Sequence, residues 1–431
     1  MRAEGDKFDT GWLPQSALCF RCYDRFRFRS DLRASLILTA QIFPVSIAIA
    51  LASGLRPIVG IFCAAAAGLL ASGLGESKVR ISAPNILFVA VASGIVSKYG
   101  VLGLSLATSL AGIVLIFLAA TGLATAIPLI PRAIVAGLSS GVAVLVVIGL
   151  ASDLFGVRQT ISVDDVRTGA GAILQHATPS SIIAAIATVA LILLCRKISV
   201  LIPAGLIAIA VGALLVKSHH LSVQTIGSPH GSVVSLFHAS PAGSVRLDLL
   251  GGVLGPAFAV AMLSAFQSLG AMDLASSLAG ERFSARVELL VQGAANIGSA
   301  FAGGLPLSGS DLDTSTNVRG GGQTPAAGML LAVFLMVFFF LAVPLVPSIP
   351  LPVISGVLLA SVCTMSHWGE IPRLVKFSRR NAGAWLASSL LAVVTDLLTA
   401  VAVGMLIGMF LGIQDRRGQP FSRHSAHWRI N

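Results

Sequence analysis

The stretch from Gly303 to Pro325 reads GGLPLSGSDLDTSTNVRGGGQTP, and its reading decides the fold. Long apolar segments flank it on both sides, which puts it inside or beside a membrane. It nevertheless carries Ser308, Ser310, Asp311, Asp313, Thr314, Ser315, Thr316 and Asn317. Such groups cannot face lipid, where each unsatisfied polar group costs on the order of several kcal/mol. Ionisable side chains at membrane depth mark a functional site by default. The polar run is bounded by Gly and Pro, which predicts a broken helix whose half-helix N–H groups point into a cavity and can hold an anion. Ile81 to Phe88 (ISAPNILF) has the same proline-interrupted, weakly polar character. Two such breaks, one in each half of a chain, point to the binding site of a carrier.

Composition agrees. Hydrophobic residues make up 55% and charged residues 11% of the 431, against about 25% charged in a soluble domain. The chain therefore reads as a polytopic membrane protein. Its net charge of +11 does not indicate nucleic acid, because the basic residues cluster in short loops and tails as the positive-inside rule requires. No nucleophile–base pair, metal motif or phosphate loop is present, so an enzyme is not expected, and neither is a metal or cofactor. Cys19 and Cys22 form a single CxxC with no second pair, and the histidines between Lys217 and Asp248 match no ligand spacing.

The organisation follows from the uncharged spans. Residues 1–33 form a basic arm on the cytoplasmic side, residues 34–216 a first set of seven segments, and residues 217–248 an extracytoplasmic loop. Residues 249–414 form a second set of seven, and residues 415–431 a basic cytoplasmic tail. The fold class expected is all-α with 14 transmembrane segments. Seven segments per half force the two halves to enter the membrane in opposite senses, which makes the repeat an inverted 7+7 one. The third segment (ISAPNILF) and the tenth (LPLSGSDLDTSTN) then correspond, and their half-helix N-termini face each other. The inner (plasma) membrane of a bacterium is the expected location.

At these residues the chain resembles the SulP family of anion permeases. The likeness is carried by FPVSIAIALASGLRPIVGIF (Phe43 to Phe62), ESKVRISAPNILF (Glu76 to Phe88) and LIPRAIVAGLSSGVAVLV (Leu129 to Val146). It continues in ELLVQGAANIGSAFAGGLPLSG (Glu288 to Gly309), TSTNVRGGGQTPAAG (Thr314 to Gly328) and MSHW (Met365 to Trp368). The resemblance implies a uracil-permease-like fold. A core domain of segments one to four and eight to eleven would move as an elevator against a gate of segments five to seven and twelve to fourteen. It also implies a small anion such as sulfate, bicarbonate or a dicarboxylate between the ends of segments three and ten. This sequence departs from the pattern in three ways. No STAS domain is expected after segment fourteen. Gln267 in Gln267-Ser268-Leu269 replaces an acidic residue thought to serve proton or sodium coupling. Asp313 stands where segment ten often carries an Arg.

The candidate substrate-binding residues are Gln41, Ser82, Asn85, Ile86, Gln267, Ser308, Gly309 and Ser310. Polar side chains of these types also serve as glue between helices. Gly309 is expected to let the substrate approach the backbone closely. The candidate coupling residues are Asp313, Asp273 and Asp311, with H+ or Na+ as the coupling ion. Asp311 and Asp313 diverge by about 200° on a helix, so at most one faces the substrate. Asp313 is favoured. A buried carboxyl there stays protonated, since desolvation disfavours the charged form, and so preserves an anion site. The alternatives that stay open are a permease of the same fold for a neutral or cationic solute held by Asp313, and an anion channel. The expected partners are a small inorganic or organic anion and the lipid bilayer; a homodimer stays open.

Overall fold

The computed structural model describes residues 23–125, 127, 132–156, 178–218, 223–226, 247–280, 283–365, 379–395, 399–400 and 403–404. Cys19, Cys22, most of the His-bearing loop, His367 and Trp368 of MSHW, the fourteenth segment beyond residue 404 and the basic tail lie outside these residues.

The described chain is helical almost throughout. Helix α1 runs Arg25–Ala52, starting nine residues before the expected first segment at residue 34. The cause is Asp24, whose carboxylate accepts from the Arg27 N–H at 2.7 Å and caps the helix. Gly54, at φ +77°, makes the turn that lets Pro57 start α2 (Pro57–Leu74) from the first helical position. Next come a strand β1 (Ser82–Pro84), a 3₁₀ turn (Ile86–Phe88) and α3 (Val89–Ala120). Gly100, at φ +69°, breaks α3, so the expected third and fourth segments meet at one left-handed glycine. Helices α4 (Arg132–Phe155), α5 (Pro179–Ile198) and α6 (Ala204–Ser218) complete the first half.

The second half holds α7 (Leu247–Ala279), α8 (Ala285–Ala302), strand β2 (Leu307–Gly309) and α9 (Asp311–Gly320). It continues with α10 (Ala326–Ala342), α11 (Leu351–Met365) and α12 (Arg379–Val394). Six helical stretches are long and apolar enough to cross a membrane: Arg25–Ala52, Pro57–Leu74, Ile86–Ala120, Ala133–Phe155, Pro179–Ile198 and Leu250–Ala279. Four shorter apolar helices accompany them. The all-α expectation needs one correction. β1 and β2 pair antiparallel, with Ser82 opposite Gly309, Ala83 opposite Ser308 and Pro84 opposite Leu307. Breaking two helices frees backbone N–H and C=O groups where no water can satisfy them, and pairing the two extended segments satisfies them together.

Packing sorts the helices into two groups. α1, α2, α3, α7, α8, α9 and α10 pack on one another, as do α4, α5, α11 and α12; the groups meet where α1 packs on α11, and α6 lies against α1, α5 and α11. Small residues let the backbones close in. A β-carbon on Gly112 of α3 would lie 2.6 Å from the Gly293 carbonyl oxygen, and one on Gly293 of α8 would lie 2.7 Å from that of Gly112. Gly137 and Gly141, one turn apart on α4, meet the α12 backbone at Trp385 and Ser389 in the same way. Lipid tails are as apolar as leucine, so close van der Waals packing of this kind holds membrane helices together.

Candidate functional site

The short ladder organises the site. Asn85 ends β1 and caps the 3₁₀ turn leading into α3, its Oδ1 accepting from the Leu87 N–H at 3.0 Å. Ser310 ends β2 and caps α9, its Oγ accepting from the Asp313 N–H at 3.2 Å. Because the strands are antiparallel, the two helices leave from opposite ends of the ladder. Their N-termini are separated by roughly three strand residues, or about 10 Å. Each presents first-turn N–H groups without an intrahelical acceptor and the positive end of a helix dipole.

Side chains from two neighbouring helices hold the ladder. Ser264 Oγ on α7 donates to the Leu307 carbonyl at 2.7 Å, and Ser268 Oγ accepts from the Gly309 N–H at 3.0 Å. Asn296 on α8 works as a substitute strand: its Oδ1 accepts from the Leu307 N–H at 2.9 Å and its Nδ2 donates to the Leu307 carbonyl at 3.1 Å. From α9, Thr314 Oγ1 accepts from the Ile81 N–H at 3.1 Å and Asn317 Nδ2 donates to the Val79 carbonyl at 2.8 Å. The Ser310 N–H itself donates to the Ile81 carbonyl at 3.0 Å.

The pleat divides the expected binding residues between two faces, since alternate side chains point to opposite sides. Asn85 and Ser308 share one face, Asn85 Nδ2 donating to Ser308 Oγ at 3.1 Å. Ser82 takes the other, where its Oγ donates to Gln292 Oε1 of α8 at 2.9 Å. Gly309 lies opposite Ser82 on that inner face. A β-carbon there would stand 2.8 Å from Ala271 Cβ and 2.9 Å from the Ser268 Cα. The lack of a side chain at Gly309 therefore serves packing against α7. Ile86 is buried at the start of the 3₁₀ turn.

The remaining candidates lie around this centre. Gln41 on α1 donates to the Val200 carbonyl at 2.5 Å and lines a small crevice with Arg196, Ile202, Gly205, Val357 and Ser361. Half-buried Gln267 donates to Ser139 Oγ of α4 at 3.3 Å, spanning the two helix groups. Asp273 is exposed on α7, apart from the ladder. Asp311 and Asp313 occupy the first turn of α9. Asp313 stands three residues after the Ser310 cap, the place of the acid in a capping box, and it attracts Arg196 of α5 electrostatically.

Sequence reasoning passed over a buried charged cluster on the inner face. Arg80 Nη1 lies 2.6 Å from Glu288 Oε1, and both side chains are 2% exposed. The same nitrogen donates to Ser82 Oγ at 2.9 Å and to Gln292 Oε1 at 3.4 Å. A signal was available: Glu288, Gln292 and Asn296 recur every four residues in an otherwise apolar helix, which puts them on one face. Asp31 was also read as part of a solvated arm. It is fully buried and accepts from the Gln323 and Thr324 N–H groups at 2.7 and 3.2 Å and from Thr324 Oγ1 at 2.5 Å.

Residues 28–388 match the Sulfate permease family. The chain is 25% identical over 399 residues to the putative sulfate transporter YvdB of Bacillus subtilis (strain 168), covering 92% of this chain and 75% of that protein. It is 26% identical over 409 residues to the bicarbonate transporter BicA of Picosynechococcus sp. (strain ATCC 27264 / PCC 7002 / PR-6), covering 90% and 70%. In structure it resembles the transmembrane domain of a cyanobacterial bicarbonate transporter BicA, with a TM-score of 0.79 and 23% identity over 88% of this chain and 98% of that one. Murine Slc26a9 in the inward-facing state gives a TM-score of 0.77 at 15% identity, over 96% and 73%. The family match spans most of the length and the same helical scaffold recurs in solved anion transporters. The chain therefore belongs to the sulfate permease family, as a multi-pass transport protein of the bacterial plasma membrane and not an enzyme.

Proposed function

We propose that the chain is an elevator-type secondary transporter of a small oxyanion such as sulfate, bicarbonate or a dicarboxylate. The observation that carries this reading is the ladder from which two capped half-helices leave in opposite directions, with Ser308 and Asn85 on one face. Two helix N-termini offer roughly half a positive charge each, together with N–H donors, which suits an anion without demanding a metal. Relatives named as sulfate and bicarbonate transporters fit the same chemistry.

In this reading the fold has fourteen segments in an inverted 7+7 arrangement of the uracil-permease-like kind. The group holding the ladder is the moving core and the α4, α5, α11 and α12 group is the gate. The separate packing of the two groups supports that division. Asp313 couples transport to a proton. Its carboxyl lies in the first turn of α9 and faces the electrostatic pull of Arg196 in the gate group. Protonated, it travels with the substrate as the carrier of the coupling proton and keeps the anion site free of a fixed negative charge.

The test is flux in proteoliposomes with radiolabelled sulfate and bicarbonate. Saturable counterflow is expected. Ohmic current without counterflow would replace the carrier by a channel. Absence of flux for both anions from folded protein would refute the anion reading.

A further inference from the structure

The Arg80 cluster lies outside everything the transport reading uses, yet it touches the ladder. Arg80, Ser82 and Gly309 share the inner face. Arg80 Nη1 donates to Ser82 Oγ at 2.9 Å, and a β-carbon on Gly309 would come within 3.2 Å of it. Glu288 lies beyond the guanidinium, on α8. The ion pair is thus a dipole whose positive end is turned to the ladder. Two further donors in the cluster, Arg80 Nη2 and Gln292 Nε2, are buried with no hydrogen-bond acceptor, and Glu288 Oε1, though ion-paired to Arg80, accepts no hydrogen bond.

Taking two charges out of water is costly, and a buried ion pair is weak grounds for stability by itself. Its orientation behind the ladder is what needs an explanation. Arg80 is a positively charged donor bonded directly to a strand of the ladder, through Ser82 Oγ. We propose that Arg80 sets the positive potential of the ladder and so determines its preference for anions, with Glu288 as the positioning residue and counter-charge that fixes the guanidinium there. This rests on the anion-transport reading and supplies it with a charge that the half-helices alone do not have. The other charged group acting on Glu288 is Glu76, whose Oε2 accepts from the Ser284 N–H at 3.1 Å. Of the elements packed against α8, α2 and β2 carry no charged residue and α3 carries only Lys98. On α7, Asp273 is exposed and belongs to neither face of the ladder.

The dipole makes a prediction of opposite signs. A unit charge roughly 8 Å from the anion, at an effective dielectric constant of about 20, changes affinity by on the order of tenfold or more. Glu288→Gln removes the counter-charge and leaves Arg80 unopposed, so sulfate should bind about tenfold more tightly. The neutral pair Arg80→Gln with Glu288→Gln differs from Glu288→Gln alone by the single charge of Arg80, so it should bind sulfate at least about tenfold more weakly than that variant, and more weakly than the wild type because Arg80 is the nearer charge. Sulfate binding to the purified full chain in detergent, by isothermal titration calorimetry with melting temperatures in parallel, measures both. A purely structural pair would lower the melting temperature in each variant and move affinity in one direction or not at all. Equal or weaker binding by Glu288→Gln would overturn the proposal, as would a double variant that matches it. If Glu288→Gln does not fold, Arg80→Lys decides against the double variant. Lysine should keep most of the affinity, and equal affinities would overturn the proposal. Folded wild type that binds neither sulfate nor bicarbonate would instead remove the anion reading beneath it.

Discussion

Replacing Gly309 by alanine tests how the ladder is seated. The new methyl would stand 2.8 Å from Ala271 Cβ, 2.9 Å from Ser268 Cα and 3.2 Å from Arg80 Nη1. Carbon atoms in ordinary contact sit about 3.5–4.0 Å apart, so β2 must retreat from α7 by roughly 0.7–1 Å. Two of the three neighbours belong to the α7 backbone or its first side-chain carbon, and neither can rotate away. Overpacking of this kind costs about 1–3 kcal/mol. The retreat also stretches the bond from the Gly309 N–H to Ser268 Oγ, now 3.0 Å, and drags Ser310, the cap of α9, with it. Displacing one hydrogen bond to an ionised ligand is worth about 1.5–3 kcal/mol, so anion affinity should fall roughly ten- to a hundredfold. Uptake of radiolabelled sulfate and bicarbonate by proteoliposomes gives KM and maximal rate. Thermal unfolding in detergent checks that the protein is folded. A Gly309→Ala protein with unaltered KM would show that the seat of β2 on α7 does not set the site.

Other outcomes follow from the same geometry. Asn296→Ala leaves the buried Leu307 N–H without its acceptor and should cost about 1–3 kcal/mol, visible as a lowered melting temperature with transport reduced in parallel. Asp31→Ala strips the acceptor from three donors at Gln323 and Thr324 and should destabilise by about 3–5 kcal/mol. Thermal unfolding would detect it, and unaltered stability would refute the assignment. Asp313→Asn should keep anion exchange and lose its stimulation by external acid, measured as sulfate uptake across a pH series. An unchanged pH profile would remove Asp313 from coupling. With the N-terminus inside, a cysteine at exposed Ser97 beside the Gly100 break should react with an impermeant thiol reagent from outside, and one at exposed Ser277 should not.

Much of the scaffold was legible because membrane helices announce themselves by length and apolarity, and broken ones by Gly and Pro around polar residues. Ser82, Asn85, Ser308 and Ser310 all fall at the ladder or its caps, where the two breaks in the sequence put them. What the sequence could not show was the pairing of the two breaks. A three-residue strand has no periodicity to read, and its partner lies over two hundred residues away. Without the pairing there is no pleat, so Ser82 and Ser308 look equivalent although they face opposite ways. The Arg80–Glu288 contact was hidden for a related reason. Each charge sits at the edge of an apolar segment, where a solvated loop charge is the ordinary expectation. Asp31 was missed similarly, being embedded in a run of arginines that does lie on the surface side.

Asp31 has a consequence for the order in which the protein is made. Besides the Tyr23 hydroxyl, its bonding partners are separated from it by 292 and 293 residues. At about 5–20 residues per second, the first helix emerges roughly a quarter of a minute to a minute before Gln323 and Thr324 exist. Throughout that interval the carboxylate at the base of the first helix has only the Tyr23 hydroxyl as a native partner and must stay at the aqueous interface. Arg27, Arg29 and Arg33 flank it there and suit anionic headgroups. The first helix can therefore insert early but cannot settle at its final depth until the loop before α10 arrives. Biogenesis of the core includes an act of closure between the first helix and the loop before α10. Chains truncated before residue 323 should insert normally and yet remain open to proteases at the cytoplasmic end of α1.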